Sequence, residues 1–250
     1  MVTMLALPAL GIVYGEPDDG RHPFVGSMVL EGEEGAIDQV CSGTLISPTV
    51  FLTAAHCTTF VESLGMDRVA VTFDGVITPD ATLHWGTPFS HPDFGFSGPG
   101  GLSDPHDIAV IVFDDPVTSI TPAGLPAAGL LSQMHQRQLR ATSFTAVGYG
   151  TIRETRRGAF ESILDNLERR LARQEVLSLA PAWLTLSMNQ ATGNGGTCYG
   201  DSGGPHFITG TNTIVSITVT GDAPCKATDK TYRIDTASAR EFLGQFVQLP

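Results

Sequence analysis

The chain has 250 residues, enough for one large domain or two small ones with a sizeable core. Its residues are 42% hydrophobic and only 16% charged, which excludes a disordered protein or a coiled coil; 28 Gly and 16 Pro suit short strands joined by turns better than a helical bundle. With 26 acidic against 14 basic residues the net charge is −12 and the pI about 4.8, so nucleic acid and anionic membrane surfaces are poor partners and the acidity reads as solubility outside the cell.

Residues 1–11 are apolar and uncharged, with Leu5, Leu7 and Leu10 in a short run and small residues at Ala9 and Gly11. A membrane span needs roughly 20 apolar residues, so this stretch reads as the remnant of a secretory signal, although no basic leader precedes it. Strand character follows at 24–30, 40–47, 68–74 and 108–114, in β-branched or aromatic runs bounded by Gly, Pro, Asp or Asn. A Pro-, Ala- and Gly-rich segment at 118–129 reads as the link between two halves, divided as 12–120 and 121–250. Further strands are expected at 144–150, 183–188, 213–221 and 231–236. Between them 154–174 is ambiguous: Leu164, Leu167 and Leu171 have helical spacing, yet 169–179 equally begins a strand. After Asp235 the run Ser238-Ala239-Arg240-Glu241 matches a capping box ahead of Phe242, Leu243 and Phe246, so a short C-terminal helix is predicted.

Four cysteines, Cys41, Cys57, Cys198 and Cys225, fall into two local pairs separated by 16 and 27 residues. Four cysteines allow three connectivities, which arithmetic leaves open. Neither C-x-x-C nor H-E-x-x-H occurs, so no metal is expected. Closing both local pairs would contribute about 3–3.6 kcal/mol each in the chain-entropy treatment and implies an oxidising compartment.

Three motifs carry the chemistry. Thr53-Ala54-Ala55-His56-Cys57 comes first, then His106-Asp107-Ile108-Ala109-Val110, then Gly200-Asp201-Ser202-Gly203-Gly204-Pro205. A serine hydroxyl attacks an amide only when a base removes its proton; an imidazole titrating near neutrality does this, and a buried carboxylate orients it. His56, Asp107 and Ser202 supply that set. Gly-Asp-Ser-Gly-Gly also fits the nucleophile elbow of α/β-hydrolases. That fold needs its acid and histidine after the serine on alternating βα units, and only His206, four residues on, follows here.

The three motifs in this order resemble the trypsin/chymotrypsin-like serine proteases, and the resemblance runs from about residue 12 to 246, loosest over 154–190. The mechanism of that family's triad comes with the resemblance and is not read from spacing. The resemblance implies an all-β fold of two six-stranded antiparallel β-barrels with the active site in the cleft between them. His56 is then general base and acid, Asp107 its orienting partner, and Ser202 the acylated nucleophile. The N–H groups of Gly200 and Ser202 form the oxyanion hole, and the disulfides are Cys41–Cys57 and Cys198–Cys225. Ile12-Val13-Tyr14-Gly15 is similar to the family's mature amino terminus, whose freed amine pairs with the carboxylate matching Asp201. Gly11 rather than Arg or Lys precedes it, so signal cleavage after Gly11 is expected to yield active enzyme directly.

The substrate pocket departs from the family. Its floor falls at Gly196, where no carboxylate selects Arg or Lys, so a neutral pocket for an apolar side chain is expected. Val219-Thr220-Gly221 stands where Ser-Trp-Gly would pair with substrate backbone, and Lys230 replaces a small wall residue. Pointing inward, Lys230 would favour acidic side chains; pointing outward, it is a solvated lysine. His106 is expected at the surface, and His22, His84, His91 and His135 in solvated loops. The resulting reading is a secreted, monomeric serine endopeptidase acting on polypeptides without a cofactor. The competing reading is a non-catalytic protease homologue serving as a binding or adhesion module.

Overall fold

A computed structural model describes residues 12–32, 35–95, 103–154 and 162–250. The expected signal remnant at 1–11 lies outside the described residues. The first barrel is built from β2 (Val25–Glu31), β3 (Ile37–Ser47), β4 (Val50–Thr53), β5 (Val69–Thr72), β6 (His84–Ser90) and β7 (Ala109–Phe113), preceded in the chain by a two-residue strand β1 (Glu16–Pro17). These six strands close in the order β2-β3-β4-β7-β6-β5, all antiparallel. Their composition explains them: Val50-Phe51-Leu52-Thr53 and Ala109-Val110-Ile111-Val112-Phe113 are β-branched or aromatic and almost wholly buried. Phe51 lies against Phe73 and Phe113 at ring distances of 5.8 and 6.2 Å inside this barrel. Helix α1 (Ala55–Ser63) leaves the end of β4 and carries His56 at its second position.

Two short helices, α2 (Leu130–Gln133) and α3 (Gln136–Ala141), lead into the second barrel. Its strands are β8 (Ser143–Gly148), β11 (Arg170–Leu179), β12 (Trp183–Ser187), β13 (Pro205–Ile208), β14 (Ile214–Gly221) and β15 (Thr228–Arg233), with a separate hairpin of β9 (Ile152–Glu154) and β10 (Ser162–Leu164) inserted between β8 and β11. The order β11-β12-β15-β14-β13-β8 is closed by the β11–β8 pairing, and β1 adds to the outer side of β11. The chain therefore folds as two closed six-stranded antiparallel barrels. Helix α4 (Ala237–Leu243) ends the fold, its first turn capped by the Thr236 hydroxyl accepting from Ala239 N.

The ambiguous segment resolves as strand. Along Arg170, Leu171, Ala172, Arg173 and Gln174 burial alternates with a period of two, as expected of a strand lined on one face by the barrel interior. The leucine spacing that suggested a helix is fortuitous: Leu164 is in β10, Leu167 is exposed in the connection, and Leu171 is in β11. Residues 155–161 lie outside the described residues. The chain's first described segment also belongs with the second half. Val13 bridges Gly196 and β1 pairs with β11, while α4 returns to the first barrel, Phe242 against His91 at 5.3 Å and Phe246 against Phe89 at 5.5 Å. Each barrel thus carries a strap from the other half of the sequence, and one apolar cluster runs from Val25, Leu52 and Ile111 through to Tyr149, Phe207 and Tyr232.

Candidate active site

The histidine and aspartate are joined by two hydrogen bonds. Asp107, nearly buried, accepts from the backbone N–H of His56 at 2.9 Å through Oδ1 and meets the ring Nδ1 at 2.7 Å through Oδ2. An ionised carboxylate only accepts, so in the neutral form of the ring this contact puts the proton on Nδ1 and the lone pair on Nε2. Asp107 reaches this position from a tight turn ahead of β7: His106 has φ +50° and its carbonyl accepts from Ile108 N at 2.9 Å.

Ser202 is placed against the same corner from the other barrel. Its carbonyl accepts from Ser42 N at 2.8 Å, and Gly203 donates to Thr218 O at 2.8 Å. Gly203 has φ +76° and no room for a side chain, because Thr53 and Ala54, just ahead of α1, press on it. Seated next to the segment that leads into His56, Ser202 makes no hydrogen bond to the His56 ring among the described residues. Such bonds are often long in unliganded sites and tighten around substrate.

The loop before the serine is fixed by Asp201. Its buried carboxylate accepts from Gly150 N at 2.8 Å and Cys198 N at 2.9 Å. Burial pushes it up to about 7, against the pull of those two N–H bonds and with a smaller push from Asp229. No cation pairs with it among the described residues. Ile12 is itself wholly buried, packed on Ala146 and Ala172, with its nitrogen in a peptide bond to Gly11 and so uncharged. The N–H groups of Gly200 and Ser202 donate to no described residue, whereas those of Asp201 and Gly203 are used within the fold.

Beside Ser202 opens a pocket of about 270 Å³. Thr197, Tyr199, Thr218, Val219, Thr220 and Gly221 line it, with the Cys198–Cys225 disulfide and Asp222. Gly196 sits behind this lining and does not face the space; Met188 and Gln174 occupy the position its side chain would take. Lys230 also lies elsewhere. The alternation of β15 turns Asp229 and Thr231 inward and leaves Lys230 exposed, its ammonium 4.2 Å over the Trp183 ring. Asp222 is engaged within its own loop. Burial pushes its carboxyl up, but bonds from the N–H groups of Thr228, Lys226 and Ala227 outweigh this and hold it below the usual range. The other disulfide, Cys41–Cys57, ties β3 to α1.

Several histidines expected in solvent are not there. His91 is buried, its ring stacked on His106 at 4.6 Å, and Ser238 Oγ lies 2.8 Å from His106 Nδ1. Burial pulls His91 down, and the neighbouring His106 adds to this. His91, Asp93 and His106 bring ligand-type atoms within 4.8 Å of one another. Their rings stack at an interplanar angle of 25°, however, so the two in-plane lone pairs do not converge on one ion. His22 pairs with Asp18 at 2.5 Å and stacks on Phe207, and His84 is half-buried against Phe73. The alternating and loop signals around these residues give no hint of the C-terminal helix or of Phe207 packing on them. Sequence reasoning also passes over Gln39 and Ser42, which reach across to the serine loop. Ser42 carries a weak signal in Cys41-Ser42-Gly43; Gln39 carries none.

The sequence profile of the family described as Trypsin matches residues 12–242. The chain belongs to the trypsin family. No curated protein matches the sequence. Among solved structures, that of HL collagenase is similar with a TM-score of 0.68 and 19% identity over 94% of this chain and 97% of the other. At that identity the likeness is one of fold. It covers both barrels, so the trypsin-family architecture extends over nearly the whole chain.

Proposed function

We propose that this trypsin-family protein is a secreted serine endopeptidase using Ser202 as nucleophile, His56 as general base and acid, and Asp107 to orient the imidazole. The observation that carries this reading is the doubly hydrogen-bonded His56–Asp107 pair together with a serine loop that packs on Thr53 and Ala54, just ahead of His56, and whose N–H groups at Gly200 and Ser202 have no partner among the described residues. Ser202 Oγ attacks the substrate carbonyl carbon as His56 Nε2 takes its proton, and the carbonyl electron pair moves onto oxygen, facing those two N–H groups. Collapse breaks the C–N bond, with His56 returning the proton to the leaving amine; water then repeats the sequence on the acyl-enzyme.

Secretion is supported by two disulfides, which belong to oxidising compartments. No helix among the described residues is long and apolar enough to cross a membrane. The pocket, walled by threonines and valine with its one carboxylate occupied by amides, supports a neutral side chain before the cleaved bond. Labelling with a fluorophosphonate probe tests the reading: the wild-type chain is expected to be labelled and Ser202→Ala not. Equal labelling of the two would favour a non-catalytic homologue.

A further inference from the structure

Three consecutive peptide planes form the loop from Tyr199 to Ser202, and the carbonyl of each is held. Tyr199 O accepts from Thr151 N at 2.7 Å, and Asp201 O accepts from Gly204 N at 2.8 Å. Carbonyl and N–H point in opposite directions across a trans peptide. These two bonds therefore turn the N–H groups of Gly200 and Ser202 the other way. The middle plane is held differently. Gly200 O accepts from Gln39 Nε2 at 2.8 Å and from Ser42 Oγ at 3.0 Å, both on β3 of the opposite barrel. Its other edge, Asp201 N, donates to Cys198 O at 3.1 Å.

We propose that Gln39, seconded by Ser42, is a positioning residue that holds the serine loop in the conformation presenting the Gly200 N–H to a developing oxyanion; this rests on the serine-protease reading above. The direction of that N–H is linked to the middle plane by a short stretch of backbone at Gly200 itself. Gly200 sits at φ +91°, and glycine leaves its rotations soft. A carbonyl gripped by two side chains stiffens them. Gln39 is also fitted to the glycine, for its amide oxygen fills the space that a side chain at position 200 would take. Both donors are neutral, so the grip is independent of pH. Neither requires a charged amine at Ile12, and Asp201 below them is held by amides alone.

The test is the second-order rate of Ser202 labelling by a fluorophosphonate, measured across the neutral pH range on the full chain with Gln39→Ala and with Gln39→Met, which keeps the length of the side chain but has neither donor nor charge, together with their melting temperatures. The oxygen of the forming phosphonyl adduct needs the same N–H groups. Both variants are expected to label about tenfold or more slowly, part of the 10²–10³ that a lost oxyanion donor costs. The factor should be the same at every pH, with the inflection and the melting temperature those of the wild type. Rates within about twofold of wild type would overturn the proposal. A displaced pH inflection would overturn it too, by placing the damage at His56 and Asp107, as would a fall in rate matched by a fall in melting temperature in both variants. An unlabelled wild-type chain would instead remove the serine-protease reading itself, before any variant is compared.

Discussion

At the residue scale the site rests on what each carboxylate touches. Asp107 spends both oxygens on His56, one on the backbone and one on the ring, so its loss should alter the tautomer more than the fold. Asp107→Asn is expected to lower kcat by about 10⁴ with little change in KM, measured by steady-state hydrolysis of a peptide substrate. Asp201 behaves in the opposite sense. Its folded-state value of about 7 lies above the ordinary 3.8, so the unfolded chain gives up its proton first. Stability from this group is full below about pH 4, falls as pH rises toward 7 and is level beyond, a loss on the order of 4 kcal/mol. An ammonium freed at Ile12 and reaching Asp201 would favour the ionised form and flatten that slope. Denaturant unfolding of the intact chain and of a chain beginning at Ile12, compared at pH values on either side of this window, should show the difference opening as pH rises. Identical slopes would mean that no such pair forms.

At the scale of elements, the motifs that contain their own chemistry are legible in the sequence and those that depend on distant packing are not. His56, Asp107 and Ser202 announce themselves because each is embedded in a distinctive local run, and the C-terminal helix because its apolar residues are adjacent in sequence; its cap, however, is Thr236 and not the Ser238 of the expected capping box, whose hydroxyl lies against His106. Strands β4, β6 and β13 are hidden by their surroundings: Val50–Thr53 runs straight into the Ala54-Ala55-His56 motif, Pro205–Ile208 opens on a proline at the end of the glycine-rich serine segment, and His84–Ser90 contains a proline and a glycine. Lys230 shows the same limit for the site. Motif alignment puts it in a pocket wall, whereas the two-residue period of β15 sends it outward onto Trp183. Lys230→Ala should leave cleavage-site preference in a peptide library unchanged and cost only about 0.5–1 kcal/mol of stability from the lost cation–π contact. A shift away from acidic residues in the variant would put Lys230 back in the pocket.

At the scale of the molecule, the two barrels are joined by straps and by one buried arginine. Arg169, ahead of β11, donates to Asp18 Oδ2 at 3.0 Å, to the carbonyls of Val25 and Phe73 at 3.1 and 2.9 Å, and to Tyr149 Oη at 3.0 Å. It therefore reaches the first barrel from the second, and nothing in its flanking sequence reveals this. Arg169→Ala leaves the Asp18 carboxylate to His22 alone and takes a buried donor from the Phe73 carbonyl, and is expected to cost about 1–3 kcal/mol in denaturant unfolding, with kcat of the folded fraction retained. The fold brings Ser202 and His56 from different barrels, so their meeting is a property of the whole chain, fastened by Ser42 on Ser202 and by Thr53 and Ala54 on Gly203. The most direct measurement of the central claim is the first turnover of p-nitrophenyl acetate. Acyl transfer to Ser202 predicts a burst of one p-nitrophenol per chain, an acetyl group on the peptide carrying Ser202 by mass spectrometry, and loss of both in Ser202→Ala. A linear release with no burst and no adduct, from folded protein, would contradict it.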